Sequence, residues 1–194
     1  PTSVLGPSRP DLQHPWMASA PPEELAAPLM NADAIRENLV YQLTFHQAIA
    51  DGEIPLWWPY AFAGVPFVGL GHTEVLYPLT WLLLPFGPYF AYGGLIALHT
   101  FLAGLGGMLW LRAAGLYRPA ALFGGLVFML NGMFATRLGH PQFVATGCWL
   151  PFTLLGVEWL ATRRWAWGMV VVTLATAMAI LAGHPSVYVF GYYF

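Results

Sequence analysis

The residues of this chain that could do chemistry form a short set. Asp33 and Glu37 stand four residues apart, so both carboxylates share one face if the segment is helical. Arg137 is followed by Gly139-His140-Pro141, and Gly-His-Pro returns at 183–185 around His184. His72 and Glu74 lie two residues apart, and Trp57, Trp58 and Tyr60 crowd a stretch rich in Pro and Gly. A carboxylate can act as a general base, and a guanidinium can grip a phosphate as a bidentate fork. Imidazoles beside a carboxylate can relay a proton or bind a divalent cation.

Each has a plainer reading. Asp33 could be a helix-start carboxylate interacting with the helix dipole, and Glu37 a solvated charge. Arg137 could be an interfacial side chain snorkelling to lipid headgroups. The two Gly-His-Pro copies could be turns whose Gly and Pro break helices, and their spacing matches no known metal signature. The tryptophans could pack a loop on the membrane surface.

Composition decides what must carry these residues. Of 194 residues 8% are charged, 58% are hydrophobic and 16% are aromatic. An ordinary soluble domain carries roughly 25% charge, so a soluble protein is excluded. A formal net charge of -2 supplies no basic footprint for nucleic acid. The single Cys148 excludes a disulfide framework and a cysteine zinc site. Frequent Ala, Gly, Pro and Arg without any Lys suggest a GC-rich bacterial coding sequence.

Ten of the 16 charges lie in residues 1–74, and the other six divide the rest into charge-free runs at 75–111, 119–136, 138–157 and 165–194. A spanning helix needs about 20 apolar residues, so the runs predict four transmembrane helices near 89–111, 119–137, 141–160 and 165–183. Arg112 and Arg118, and likewise Arg163 and Arg164, fall in loops on one side of such a zigzag. The positive-inside rule makes that side cytoplasmic and residues 1–88 extracytoplasmic. The chain starts at Pro1 and stops at Phe194 in an apolar run, which reads as a fragment with one span missing before Pro1.

Within the outward segment, residues 1–30 read as irregular loop. Asn31 as N-cap, then Ile35, Leu39, Leu43 and Ile49 at helical spacing, predict an amphipathic helix at 32–50 that stops at Asp51-Gly52. Pro and Gly between 52 and 66 forbid a long regular element and predict a compact aromatic loop. Residues 79–86 are too short to span and read as interfacial.

The stretch Gly52-Glu53-Ile54-Pro55-Leu56-Trp57-Trp58-Pro59-Tyr60, with Gly64 and Pro66, resembles a motif of the YfhO-type bacterial membrane proteins, relatives of the GT-C glycosyltransferases. Tyr77-Pro78, Leu98-His99 to Leu116, Arg137-Leu138-Gly139-His140-Pro141 and Trp149-Leu150-Pro151 resemble later stations of that family in order. The similarity covers about residues 33–188. Trp58 departs from the family's Asn, and Tyr41-Gln42-Leu43-Thr44 lacks a common Pro, which loosens the register around Asp33.

The resemblance implies an all-α, GT-C-like fold in the bacterial cytoplasmic membrane. It also implies transfer of a sugar from a polyprenyl-phosphate donor to an envelope polymer, lipid or protein. Asp33 best matches the superfamily's essential acidic residue. Arg137 would then hold the lipid phosphate, with His72, Glu74, His140 and His184 near the same cleft and a divalent cation as a possible cofactor. Trp57 and Tyr60 could stack on a sugar or hold the acceptor. Two other classes stay open: a transporter or flippase-like protein for lipid-linked or small substrates, and a non-catalytic envelope-assembly scaffold. A transporter would place polar groups near the midplane, where only His99 stands here. His99 is a functional candidate there or a neutral His bonded to a neighbour. Glu158 reads as the partner of Arg163 or of a headgroup, and Gly104, Gly106, Gly107, Gly124 and Gly125 as close-packing positions.

Overall fold

A computed structural model describes residues 34–60 and 63–193. The described residues are 73% helical. It opens with a π-helical stretch, Ala34–Leu39, that runs into α1, Val40–Ala50. Asp51-Gly52 ends this helix, with Gly52 at φ +81°, a conformation Gly adopts at no steric cost. Asp33 lies outside the described residues. The predicted apolar stripe is only partly the buried one. Leu39 is buried but Leu43 is exposed, while Asn38, Gln42 and Phe45 face inward. Asn38 tolerates burial because its amide donates to the Gly139 carbonyl at 3.1 Å.

The aromatic loop holds two two-residue strands, β1 (Trp57–Trp58) and β2 (Val65–Pro66), paired antiparallel with Trp58 opposite Val65. Trp58 stacks on Phe67 at 5.2 Å and 2°, and Tyr41 meets both rings edge-on. Gly64, at φ +108°, lies under the Trp57 indole, where a Cβ would stand 2.5 Å from the ring. The interfacial segment is a short helix, α2 (Pro78–Leu83), and a 3₁₀ turn at Leu84–Phe86.

Among the described residues three helical stretches are long and apolar enough to cross a membrane: Pro88–Ala113, Arg118–Thr136 and Pro141–Ala161. The first is one continuous helix, α3 (Pro88–Ala113). The second is broken into α4 (Arg118–Met129) and α5 (Gly132–Thr136) at Asn131, whose side chain caps the Phe134 N–H at 3.0 Å. The third divides into α6 (Pro141–Gly147) and α7 (Leu150–Ala161). Pro151 has no N–H to continue the ladder, which accounts for that break. The fourth predicted span is α8 (Trp165–Leu181), with 17 residues. At 1.5 Å per residue that is about 26 Å, a little short of the hydrocarbon thickness of about 30 Å. The chain then turns at Gly183 into α9 (Pro185–Tyr193).

Glycine lets these helices meet closely. A Cβ on Gly125 would stand 2.6 Å from the Gly104 carbonyl, and one on Gly106 2.8 Å from the Phe152 ring. Gly156 and Gly168 play the same part between α7 and α8. In lipid, where association gains nothing from burying apolar surface, backbone approach of this kind is what holds helices together.

His99, near the middle of α3, is buried and fully bonded. Its Nδ1–H donates to the Leu95 carbonyl at 2.6 Å, so Nε2 is the acceptor for the Tyr77 hydroxyl at 2.7 Å. The Trp149 indole N–H in turn donates to that hydroxyl at 2.9 Å. One neutral network thus ties the loop before α2, the centre of α3 and the α6–α7 junction. Tyr77→Phe leaves both the imidazole and the indole without a partner. It should lower stability by about 2 kcal/mol, read as a drop in the unfolding midpoint in detergent micelles; an unchanged midpoint would show the network to be dispensable.

Candidate functional site

Three turns converge at the bundle end where α3 begins. They carry Gly71-His72, Arg137 to Pro141, and Gly183-His184. The first and third touch through backbone: a Cβ on Gly183 would overlap the Gly71 carbonyl, and both glycines have positive φ. This contact stacks the His72 and His184 rings at 5.5 Å and 20°. The middle turn is pinned by its Gly139 carbonyl, which accepts from Asn38 at 3.1 Å and Tyr92 at 3.4 Å.

Phe143 links the turns. Its ring lies 3.8 Å from that of His184 and 5.9 Å from that of His140, and the Arg137 guanidinium sits 4.9 Å above its centroid. A cation over an aromatic face keeps its charge while its N–H edges stay open to a ligand. The sequence reading missed Phe143. The signal was present: Phe143 follows His140 by three residues in a helix opened by Pro141, so the two share a face.

His184 is held neutral. Burial lowers its pKa first, and the neighbouring His72, His140 and Arg137 lower it further against the effect of a backbone hydrogen bond. Its Nδ1 accepts from the Val187 N–H at 3.4 Å, which leaves Nε2 as the ring's donor.

From His184 and Phe143 a groove of about 650 Å³ runs between α5, α6 and α9. Its walls are apolar, with Phe134, Leu150, Ala179, Val187 and Phe190 among them. The buried Thr146 hydroxyl lines it and has no hydrogen-bond partner in the described structure.

The remaining predicted residues lie elsewhere. Glu74 is not at the mouth of the groove. It is buried at 4% exposure, with φ +53°, beside a cavity of about 110 Å³ behind Gly71 and Gly183. Desolvation pushes its pKa up to about 8, against a lowering hydrogen bond from Thr80 at 3.3 Å. It therefore sits protonated at neutral pH, a poor metal ligand. Among the described residues no three His, Cys, Asp or Glu are arranged to hold a metal ion. Trp57 and Tyr60 stand exposed on the hairpin, where Tyr60 meets Trp58 edge-on at 5.6 Å. They form an aromatic surface separate from the imidazoles. Glu37 is exposed on the helix that Asn38 fastens to the Arg137 turn.

The two ends of the bundle differ in charge. Arg112, Arg118, Arg163 and Arg164 lie at the end opposite the histidines. No ion pair joins Glu158 to Arg163 among the described residues. No protein-family model matches the chain, and no curated protein or solved structure does so.

Proposed function

We propose that this chain is part of a bacterial cytoplasmic-membrane glycosyltransferase of the GT-C type, as its resemblance to the YfhO-type proteins implies. The donor is a polyprenyl-phosphate sugar, and the acceptor is an envelope polymer or lipid. The observation that carries the reading is the apolar groove ending at His184 and Phe143 beside Arg137. An isoprenoid phosphate has a long apolar tail and one anionic head, and the groove offers a complement to each. The Arg-rich end of the bundle faces the cytoplasm, which puts the histidine end outside.

In the reaction an acceptor hydroxyl attacks the anomeric carbon and the sugar–phosphate C–O bond breaks. The electron pair stays with the lipid phosphate. Arg137 stabilises that developing charge, and the neutral His184 donates through Nε2. Asp33 takes the proton of the hydroxyl. The Trp57 and Tyr60 surface holds the acceptor.

Arg137→Gln tests the reading. Loss of one such charged donor should slow transfer by about a hundredfold, measured as envelope glycosylation in the host at equal membrane abundance. Wild-type transfer in that variant would remove the phosphate role. One observation favours a transporter instead: two helices are interrupted, at Asn131 and at Trp149, as in carriers whose sites lie at broken helices. Against it, the midspan His99 has all its bonds within the fold.

A further inference from the structure

The arginine end of the bundle carries two hollows that the glycosyl-transfer reading leaves unused. The larger, about 570 Å³, is bounded by Leu109, Arg112, Leu155, Trp159, Thr162 and Arg164. The smaller, about 440 Å³, lies between Met108, Arg112, Arg118 and Leu122. Arg112 is the wall common to both. We propose that the larger hollow is a binding site for the headgroup of an anionic phospholipid from the leaflet facing this end of the bundle.

The first reason is charge without compensation. Arg112 stands at the end of α3 and Arg164 just before α8, so helix packing brings two cations from distant parts of the chain to one cavity. No carboxylate pairs with either among the described residues. Arg112 uses one N–H on the Leu116 carbonyl, which fixes the side chain and leaves the rest of its fork for a ligand. Two like charges facing one cavity repel, and a bound anion removes that cost.

The second reason is the wall. Leu109, Leu155 and Trp159 line the same hollow as Arg112 and Arg164 and give it an apolar share of wall. A free phosphate gains nothing from aliphatic wall. A phospholipid does, since its acyl roots continue directly from the headgroup. Arg163 supports the geometry. It adopts φ +63° at the end of α7, where Gly is usual, and the Arg164 N–H closes onto the Trp159 carbonyl at 2.8 Å. The chain thus accepts a strained residue at the turn that delivers Arg164.

The test is native mass spectrometry of the full chain in micelles offered phosphatidylglycerol or phosphatidylcholine. Retention of phosphatidylglycerol is expected to exceed that of the zwitterionic lipid by about tenfold, the worth of one charge-assisted hydrogen bond. Arg112→Gln and Arg164→Gln should each reduce it by about the same factor. Arg118→Gln removes an equal charge from the same end but outside the larger hollow, so it should change retention less than about twofold. Both arginines are exposed, and Arg164→Gln remains informative if loss of the Arg112 bond to the Leu116 carbonyl keeps Arg112→Gln from folding. Three results would each overturn the site: equal retention of both lipids, an equal loss in Arg118→Gln, or displacement of the lipid by millimolar inorganic phosphate.

Discussion

Asp33→Asn is expected to lower sugar transfer by about a thousandfold, the contribution of a well-placed general base. Asn keeps the size and much of the hydrogen bonding of the carboxylate but cannot take up the acceptor's proton. Membrane abundance should stay at the wild-type level, because Asn is nearly isosteric with Asp. Glu37→Gln is the control. Glu37 is exposed, and its charge acts on Tyr41, whose hydroxyl pKa is raised by burial first and by Glu37 second. Its loss should alter transfer by less than about twofold, as for other solvated surface charges. The measurement is glycosylation of envelope polymers in the host, with the full-length protein quantified in parallel. Normal transfer at normal abundance in Asp33→Asn would end the assignment of Asp33 as base.

Glu74→Gln is expected to stabilise the protein at alkaline pH and to remove most of its pH dependence between pH 4.5 and 8. The carboxyl is fully buried and its pKa rises from 4.5 to about 8, with desolvation the main cause. An acid with a raised folded pKa leaves the fold unpenalised below pH 4.5, where both states are protonated. As pH rises toward 8 the unfolded chain releases a proton that the folded chain keeps, so stability falls. Above 8 the loss is complete, and at 1.36 kcal/mol per unit it amounts to about 5 kcal/mol. Apart from burial, the hydrogen bond from the Thr80 hydroxyl is the one cause that acts on this carboxyl, and it lowers the pKa. Gln keeps an acceptor for the Thr80 hydroxyl but never ionises. The two proteins should unfold alike near pH 4.5 and diverge with the variant ahead at pH 8. A variant less stable than wild type at pH 8 would show that Glu74 is ionised and paired in the fold.

The contrast between Glu74 and His184 shows how far sequence reading reaches. Both are titratable, His184 at a predicted span end and Glu74 in the predicted outward segment. The structure brings His184 beside His72, and both His140 and His184 against Phe143. Glu74 is the other case: nothing in a one-dimensional pattern says whether a loop side chain turns outward or beneath its own backbone. Its carboxylate is buried, accepts from the Thr80 hydroxyl and lines a small cavity with Gly71 and Gly183. Phe143 was missed for the opposite reason, being an apolar residue in an apolar run until the fold sets Arg137 above its ring.

The sequence by itself pointed to a membrane protein and marked one end of its bundle with arginine. Sixteen charges in 194 residues leave apolar runs of spanning length, and the arginines mark one set of loops. Those properties follow from hydration alone: a charge in hydrocarbon is expensive wherever the helix packs. Which polar groups meet was left to the tertiary structure. The Gly71–Gly183 contact, the break at Pro151 and the carbonyl of Gly139 each depend on one backbone approaching another. So does the pairing of Arg112 with Arg164 in one hollow. Such approaches join residues far apart in the chain, and a hydrophobic period carries no information about them.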